Sequence, residues 1–131
     1  RPYLFSNTLA PAVAGGTMKV IELLENGNPY REKTMENARL FRSKMEAAGF
    51  DLVPGNTAIV PVMLYDEVKA VKMADALLNE GVYVIGFCYP VVPKGKARIR
   101  VQLSAVHTPE QIQKAVDAFI KVSRSLDDSR R

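Results

Sequence analysis

The chain has 131 residues, 47% of them hydrophobic and 24% charged, and a formal charge of +4. That length suits one domain burying roughly two-thirds of its unfolded surface, and the composition excludes a disordered or collagen-like polymer. Eighteen basic residues are spread among fourteen acidic ones, so no continuous basic block marks a nucleic-acid surface.

The local basic excesses are Lys94, Lys96, Arg98 and Arg100, with Arg130 and Arg131 at the end. Single-strand binders interleave aromatic residues with such cations, and the run after Lys94 has none. No nucleic-acid partner is expected. No apolar run approaches the roughly 18 residues needed to span a bilayer, and the opening residues lack signal-peptide order, so no membrane is expected either. Cys88 has no second cysteine to pair with, and its apolar neighbours suit a buried, reduced thiol. Together these features predict a cytosolic or organelle-matrix protein.

"RPYLFSNTLAPA" begins abruptly with apolar residues, in the manner of a segment inside a longer polypeptide. A helical pattern rich in small residues covers residues 11–25, and "AGG" at Ala14, Gly15 and Gly16 is too short for a phosphate-binding fingerprint. Gly27 suits the end of that helix, Asn28 the cap of the next and Pro29 its first turn. Tyr30, Met35, Ala38, Phe41, Met45 and Ala48 then recur near helical spacing until Gly49.

"TAIVPVMLY" at residues 57–65 predicts a strand, with Pro61 pointing to an edge or a bulge. Asp66 caps a predicted helix through residue 80, with Val68, Val71, Ala74, Leu77 and Leu78 as its inner face. "GVYVIGFCY" at residues 81–89 predicts a second strand, and residues 97–103 a third. In "HTPEQ", Thr108 is a cap, Pro109 the first helical residue and Gln111 the completion of a capping box for a last helix to about residue 126. Three strands with amphipathic helices imply an α+β domain: a small, mainly antiparallel sheet covered by helices on one face.

Alternation in the third strand places Arg98, Arg100 and Gln102 on one face and Ile99, Val101 and Leu103 on the other. The aliphatic face belongs against the helices. The cationic face meets either water or an anionic ligand. "YPVVPKGKA" before it is stiffened by two prolines, and a fixed guanidinium suits two parallel N–H bonds to a carboxylate. Beyond this, the sequence has no metal-ligand spacing, no nucleophile elbow and no phosphate loop. Its single histidine, His107, has no neighbouring nucleophile and is expected to be satisfied by local backbone.

"RPYLFSNTLAP", "KMEAAGF", "IVPVML" and "YPVVPKGKARIRVQLSAVHTPEQI", in that order, resemble the C-terminal portion of the α-oxoamine synthases, pyridoxal-phosphate enzymes of aminotransferase fold type I. The likeness covers essentially the whole chain. It is most specific, between Tyr89 and His107, to members interconverting 2-amino-3-ketobutyrate and coenzyme A with glycine and acetyl-coenzyme A in threonine breakdown. Members forming amino-oxononanoate, aminolevulinate or ketosphinganine are the alternative, and a non-enzymatic binding or dimerisation module is another.

The resemblance implies that residues 1–131 are the small C-terminal domain of a longer homodimeric enzyme, with residues 1–25 an inter-domain or dimer-interface segment. The Schiff-base lysine would lie in the larger domain, so no catalytic residue is assigned here and the fragment alone is expected to be inactive. Arg100 is implied to bind the substrate α-carboxylate. Ser6 is implied to reach the cofactor phosphate of the neighbouring subunit, with Phe5 and Asn7 beside it. On residues alone, a helix cap by Ser6, Asn7 or Thr8 is the competing reading. Localisation would be cytoplasmic, or mitochondrial matrix in a eukaryote.

Overall fold

The computed structural model describes residues 8–128, so Phe5, Ser6 and Asn7 lie outside the described residues. The chain divides into two compact units, Arg1–Arg31 and Glu32–Arg131.

In the first unit, helix α1 spans Pro11–Glu25, with proline in its first turn where no N–H is required. It ends where Asn26 donates to the Glu22 carbonyl and Gly27, at φ 77°, donates to Leu24. Asn28 accepts from the Tyr30 N–H, as expected of a cap. No residue of α1 is buried, and Met18 is 71% exposed. An apolar helix in that state presents a surface that needs a cover.

The second unit begins within helix α2 (Pro29–Ala47). Strand β1 (Ile59–Tyr65), helix α3 (Glu67–Asn79), strands β2 (Ile85–Phe87) and β3 (Ala97–Gln102), and helix α4 (Pro109–Asp128) follow. The strands form one antiparallel sheet in the order β1-β3-β2. Pro61 lies in edge strand β1, and its carbonyl accepts from Val53 on the outer side. Because N–H and C=O of one strand residue point the same way, the missing donor costs no bond to β3. A bulge between Met63 and Tyr65 also occurs, with Tyr65 at φ 65°.

The core forms where Ala38, Phe41 and Met45 of α2, Met73 and Leu77 of α3 and Ile112, Val116 and Phe119 of α4 meet Val60, Val62, Ile99 and Val101 of the sheet. Phe119 takes Phe41 and Phe50 edge-on, with centroids 6.2 and 5.9 Å away. The α+β expectation therefore holds. The capping expectations hold as well: Asp66 accepts from the Lys69 N–H, while Thr108 and Gln111 exchange backbone and side-chain bonds.

Four expectations are corrected. The second strand is confined to Ile85–Phe87, because the Gly81 and Val82 N–H groups turn back to the Leu78 and Leu77 carbonyls and close α3. The inner face of α3 is Ala70, Met73 and Leu77; Val68, Val71 and Leu78 form a second, exposed apolar stripe about 140° around the helix. Tyr30 of α2 and Ala48 just past its end are exposed, whereas Asn37 of α2 is buried. Cys88 is half-buried rather than buried, with Sγ 3.7 Å from the Glu67 carbonyl.

Candidate functional site

β3 sits between two neighbours, so its backbone is held on both edges and its side chains point in fixed directions. Ala97, Ile99 and Val101 are buried, Arg98 is half-buried, and Arg100 and Gln102 are exposed. The face carrying Arg100 is therefore the one opposite the core. Residues directly paired across a sheet share a face, so Ile59, Pro61 and Met63 of β1 and Ile85 and Phe87 of β2 surround the two arginines. A sheet face made for water would be polar across all three strands. This face is an apolar floor with two guanidinium groups and an amide set in it.

The Arg100 guanidinium lies over the Phe87 ring, 4.4 Å from its centroid. Stacking on a ring fixes the plane of the guanidinium while leaving its in-plane N–H donors directed outward. Arg98 is tied down differently, donating from Nε to the Lys96 carbonyl at 3.1 Å. Neither arginine has a carboxylate within ion-pair distance among the described residues. Phe87 as the platform for Arg100 had no signal in the sequence, because only the Phe87↔Arg98 register brings it there.

The loop from β2 to β3 carries further cations on rings. Lys94 lies 5.2 Å from the Tyr89 centroid and Lys96 5.9 Å from that of Tyr65. Gly95 turns at φ 71°, and the Tyr89–Pro90 bond is cis. The Tyr65 hydroxyl donates to Asp51, which raises the hydroxyl pKa above its ordinary 10.0. That bond anchors the ring beneath Lys96.

His107 takes the local role expected of it. Its Nδ1 accepts from the Ser104 N–H at 3.1 Å, and its own N–H donates to the Ser104 carbonyl. Asn37, 2% exposed, donates from Nδ2 to the Ser104 and His107 carbonyls, both at 2.9 Å. This buried clamp fastens the turn between β3 and α4 to α2. Nearby, the segment 81–84 diverges from Val101, Gln102 and Leu103 and leaves an open cleft of about 510 Å³ with Phe41 and Ile112 in its walls. Among the described residues, no cluster of His, Cys, Asp or Glu suits a metal ion, and no helix is long and apolar enough to cross a membrane.

The family model described as aminotransferase class I and II matches residues 1–119. The chain is 57% identical over 126 residues to 2-amino-3-ketobutyrate coenzyme A ligase of Salmonella typhimurium, covering 96% of this chain and 32% of that one. It is 54% identical over 124 residues to the mitochondrial 2-amino-3-ketobutyrate coenzyme A ligase of Homo sapiens, covering 95% and 30%. A serine palmitoyltransferase from S. paucimobilis, solved with a bound PLP–myriocin aldimine, superposes with a TM-score of 0.83 at 36% identity, covering 97% of this chain and 32% of that one. The chain thus spans about a third of the length of the curated relatives it matches.

Proposed function

The chain belongs to the aminotransferase class I and II family, and from that premise we propose that it is the C-terminal substrate-binding domain of a pyridoxal-phosphate-dependent acyltransferase. The reaction is the interconversion of 2-amino-3-ketobutyrate and coenzyme A with glycine and acetyl-coenzyme A. Relatives bearing the ligase name support this member over the 8-amino-7-oxononanoate synthase of Symbiobacterium thermophilum, which is 43% identical.

The observation that carries the reading is Arg100, a ring-stacked guanidinium without an acidic partner on an apolar floor. Two charge-assisted hydrogen bonds from it to the α-carboxylate, each worth about 1.5–3 kcal/mol, orient the substrate. Holding the carboxylate fixes which bond at Cα stands ready to break, a positioning effect realised without proton transfer by the arginine. Pyridoxal phosphate, when bound, supplies the electron sink for the carbanion.

The described residues do not supply the cofactor's covalent anchor. None of their lysines is buried, whereas an amine that forms a Schiff base is activated by desolvation. That lysine belongs to the part of the enzyme beyond this chain, and the fragment by itself is inactive. Ser6, with Phe5 and Asn7, contributes to the phosphate site of a homodimeric neighbour in this reading. Residues 1–25 form an inter-domain or dimer-interface segment, which the exposed apolar side chains of α1 support. Relatives from mouse and man are named mitochondrial, so a eukaryotic form works in the matrix and a bacterial one in the cytoplasm.

The test is Arg100→Lys in the full-length enzyme. An ammonium keeps the charge but not the fork, so one of two carboxylate bonds is lost together with the stack on Phe87. The sum is about 2–4 kcal/mol, or roughly 30- to 1000-fold in kcat/KM for glycine. Glycine kinetics within threefold of the parent enzyme would overturn the assignment.

A further inference from the structure

Lys94, Lys96 and Arg98 are not used by the carboxylate site; Arg98 shares the Arg100 face, and Lys94 and Lys96 follow it outward along the connection into β3. Arg98 and Arg100 have the same parity along β3, so their side chains leave the sheet in one direction, and Lys96 immediately precedes the strand in the connection that leads into it. At about 3.3 Å per residue, Lys96 lies about 13 Å from Arg100, and Lys94 stands beyond it on the turn. Glycine is far too small to touch both ends of that row.

The four cations are also held differently from other lysines of the molecule. Lys19, Lys33, Lys69 and Lys121 each pair with a carboxylate. Lys94, Lys96 and Arg100 instead rest on the rings of Tyr89, Tyr65 and Phe87. A ring beneath a cation restricts where the charge sits but consumes none of its strong donors, which remain available for an anion. Tyr65, under Lys96, is itself fixed by its bond to Asp51, in a left-handed conformation that non-glycine residues seldom adopt.

We infer that Lys94 and Lys96 form the subsite for the phosphates of coenzyme A, an inference that rests on the acyltransferase reading above. The thiol must reach a carbon next to the one whose carboxylate Arg100 holds. Between that thiol and the diphosphate run about twelve backbone bonds, equivalent to roughly four extended residues or about 14 Å. The row of cations has the same length, so a pantetheine arm lying along β3 brings the diphosphate to Lys96 and the 3′-phosphate toward Lys94. Ile85, Pro61 and Met63 on the same face give the uncharged arm an apolar bed.

The experiment measures binding of coenzyme A and of glycine separately to the full-length holoenzyme, by calorimetry and by titration of the cofactor absorbance, for the parent and for Lys94→Ala/Lys96→Ala. The expected result is a coenzyme A Kd raised about 10- to 100-fold, with the glycine Kd unchanged and the loss diminishing as salt rises. Lys96→Arg, which retains charge, should recover most of the affinity and exclude misfolding as the cause. Dephospho-coenzyme A should respond less to Lys94→Ala alone than coenzyme A does. Equal coenzyme A affinity in parent and double variant overturns the subsite while leaving the glycine site standing. A parent that binds glycine but no coenzyme A overturns the acyltransferase reading along with it. Selective loss of single-stranded oligonucleotide binding, with coenzyme A unaffected, makes the row a nucleic-acid surface instead.

Discussion

Replacing Asn37 by alanine probes the joint that sets where β3 ends and α4 begins. The side chain is 2% exposed and spends both amide hydrogens on the Ser104 and His107 carbonyls. Losing two such bonds removes about 2 kcal/mol, at roughly 1 kcal/mol each. The two carbonyls belong to half-buried residues, so water relieves part of the desolvation penalty, and a small void adds to the loss. The expected total is about 2–3 kcal/mol. Urea unfolding of the 131-residue chain, followed by far-UV circular dichroism, should show a midpoint lowered by about 1–2 M at unchanged slope. Asn37→Asp discriminates bonding from shape: it preserves volume but sets a carboxylate against two carbonyl oxygens, and should destabilise at least as much. A midpoint for Asn37→Ala equal to the parent's, or tolerance of Asn37→Asp, would refute the argument that Asn37 acts as a donor clamp.

Two further outcomes follow from single contacts. A Cβ on Gly86 would stand 3.1 Å from the Ala70 carbonyl oxygen, a helix backbone atom that cannot rotate away; Gly86→Ala should cost about 1–3 kcal/mol by pushing β2 from α3, and should also weaken glycine binding in the full-length enzyme because β2 carries Phe87 beneath Arg100. Unaltered stability would mean that β2 has room to spare. The Tyr65 phenol, its pKa raised chiefly by the hydrogen bond to Asp51, ionises at higher pH folded than unfolded, so its contribution to stability is complete below the unfolded value and disappears as pH climbs through the folded one. Asp51→Asn should bring the ultraviolet titration of that tyrosine back toward 10.0, and an unmoved titration would mean the bond does not form in solution.

How much was legible beforehand depended on the range of the interactions concerned. Helix starts were written in adjacent residues: Asn28 before Pro29, Asp66 before Lys69, and Thr108 with Gln111 each satisfy N–H groups within three positions, so composition and spacing suffice. The alternation of Arg98, Arg100 and Gln102 against Ile99 and Val101 was legible for the same reason, since a strand's two faces follow from parity alone. The α3 stripe was misread because Val68, Val71 and Leu78 are as apolar as Ala70, Met73 and Leu77, and hydrophobicity cannot say which of two stripes meets this core.

The sequence by itself therefore determined the α+β class, the helix boundaries and the grouping of the arginines on one face, because those properties depend on neighbours a few residues apart. Only the tertiary structure decided what that face contains. Pairing β3 between β1 and β2 surrounded Arg100 with Ile59, Pro61, Ile85 and Phe87 and made a charged strand into a cationic site on an apolar floor. It likewise ended β2 after three residues and drew Asn37 across 67 and 70 positions to its carbonyls. Register and long-range hydrogen bonds are fixed by how whole elements pack, and no local pattern carries that information.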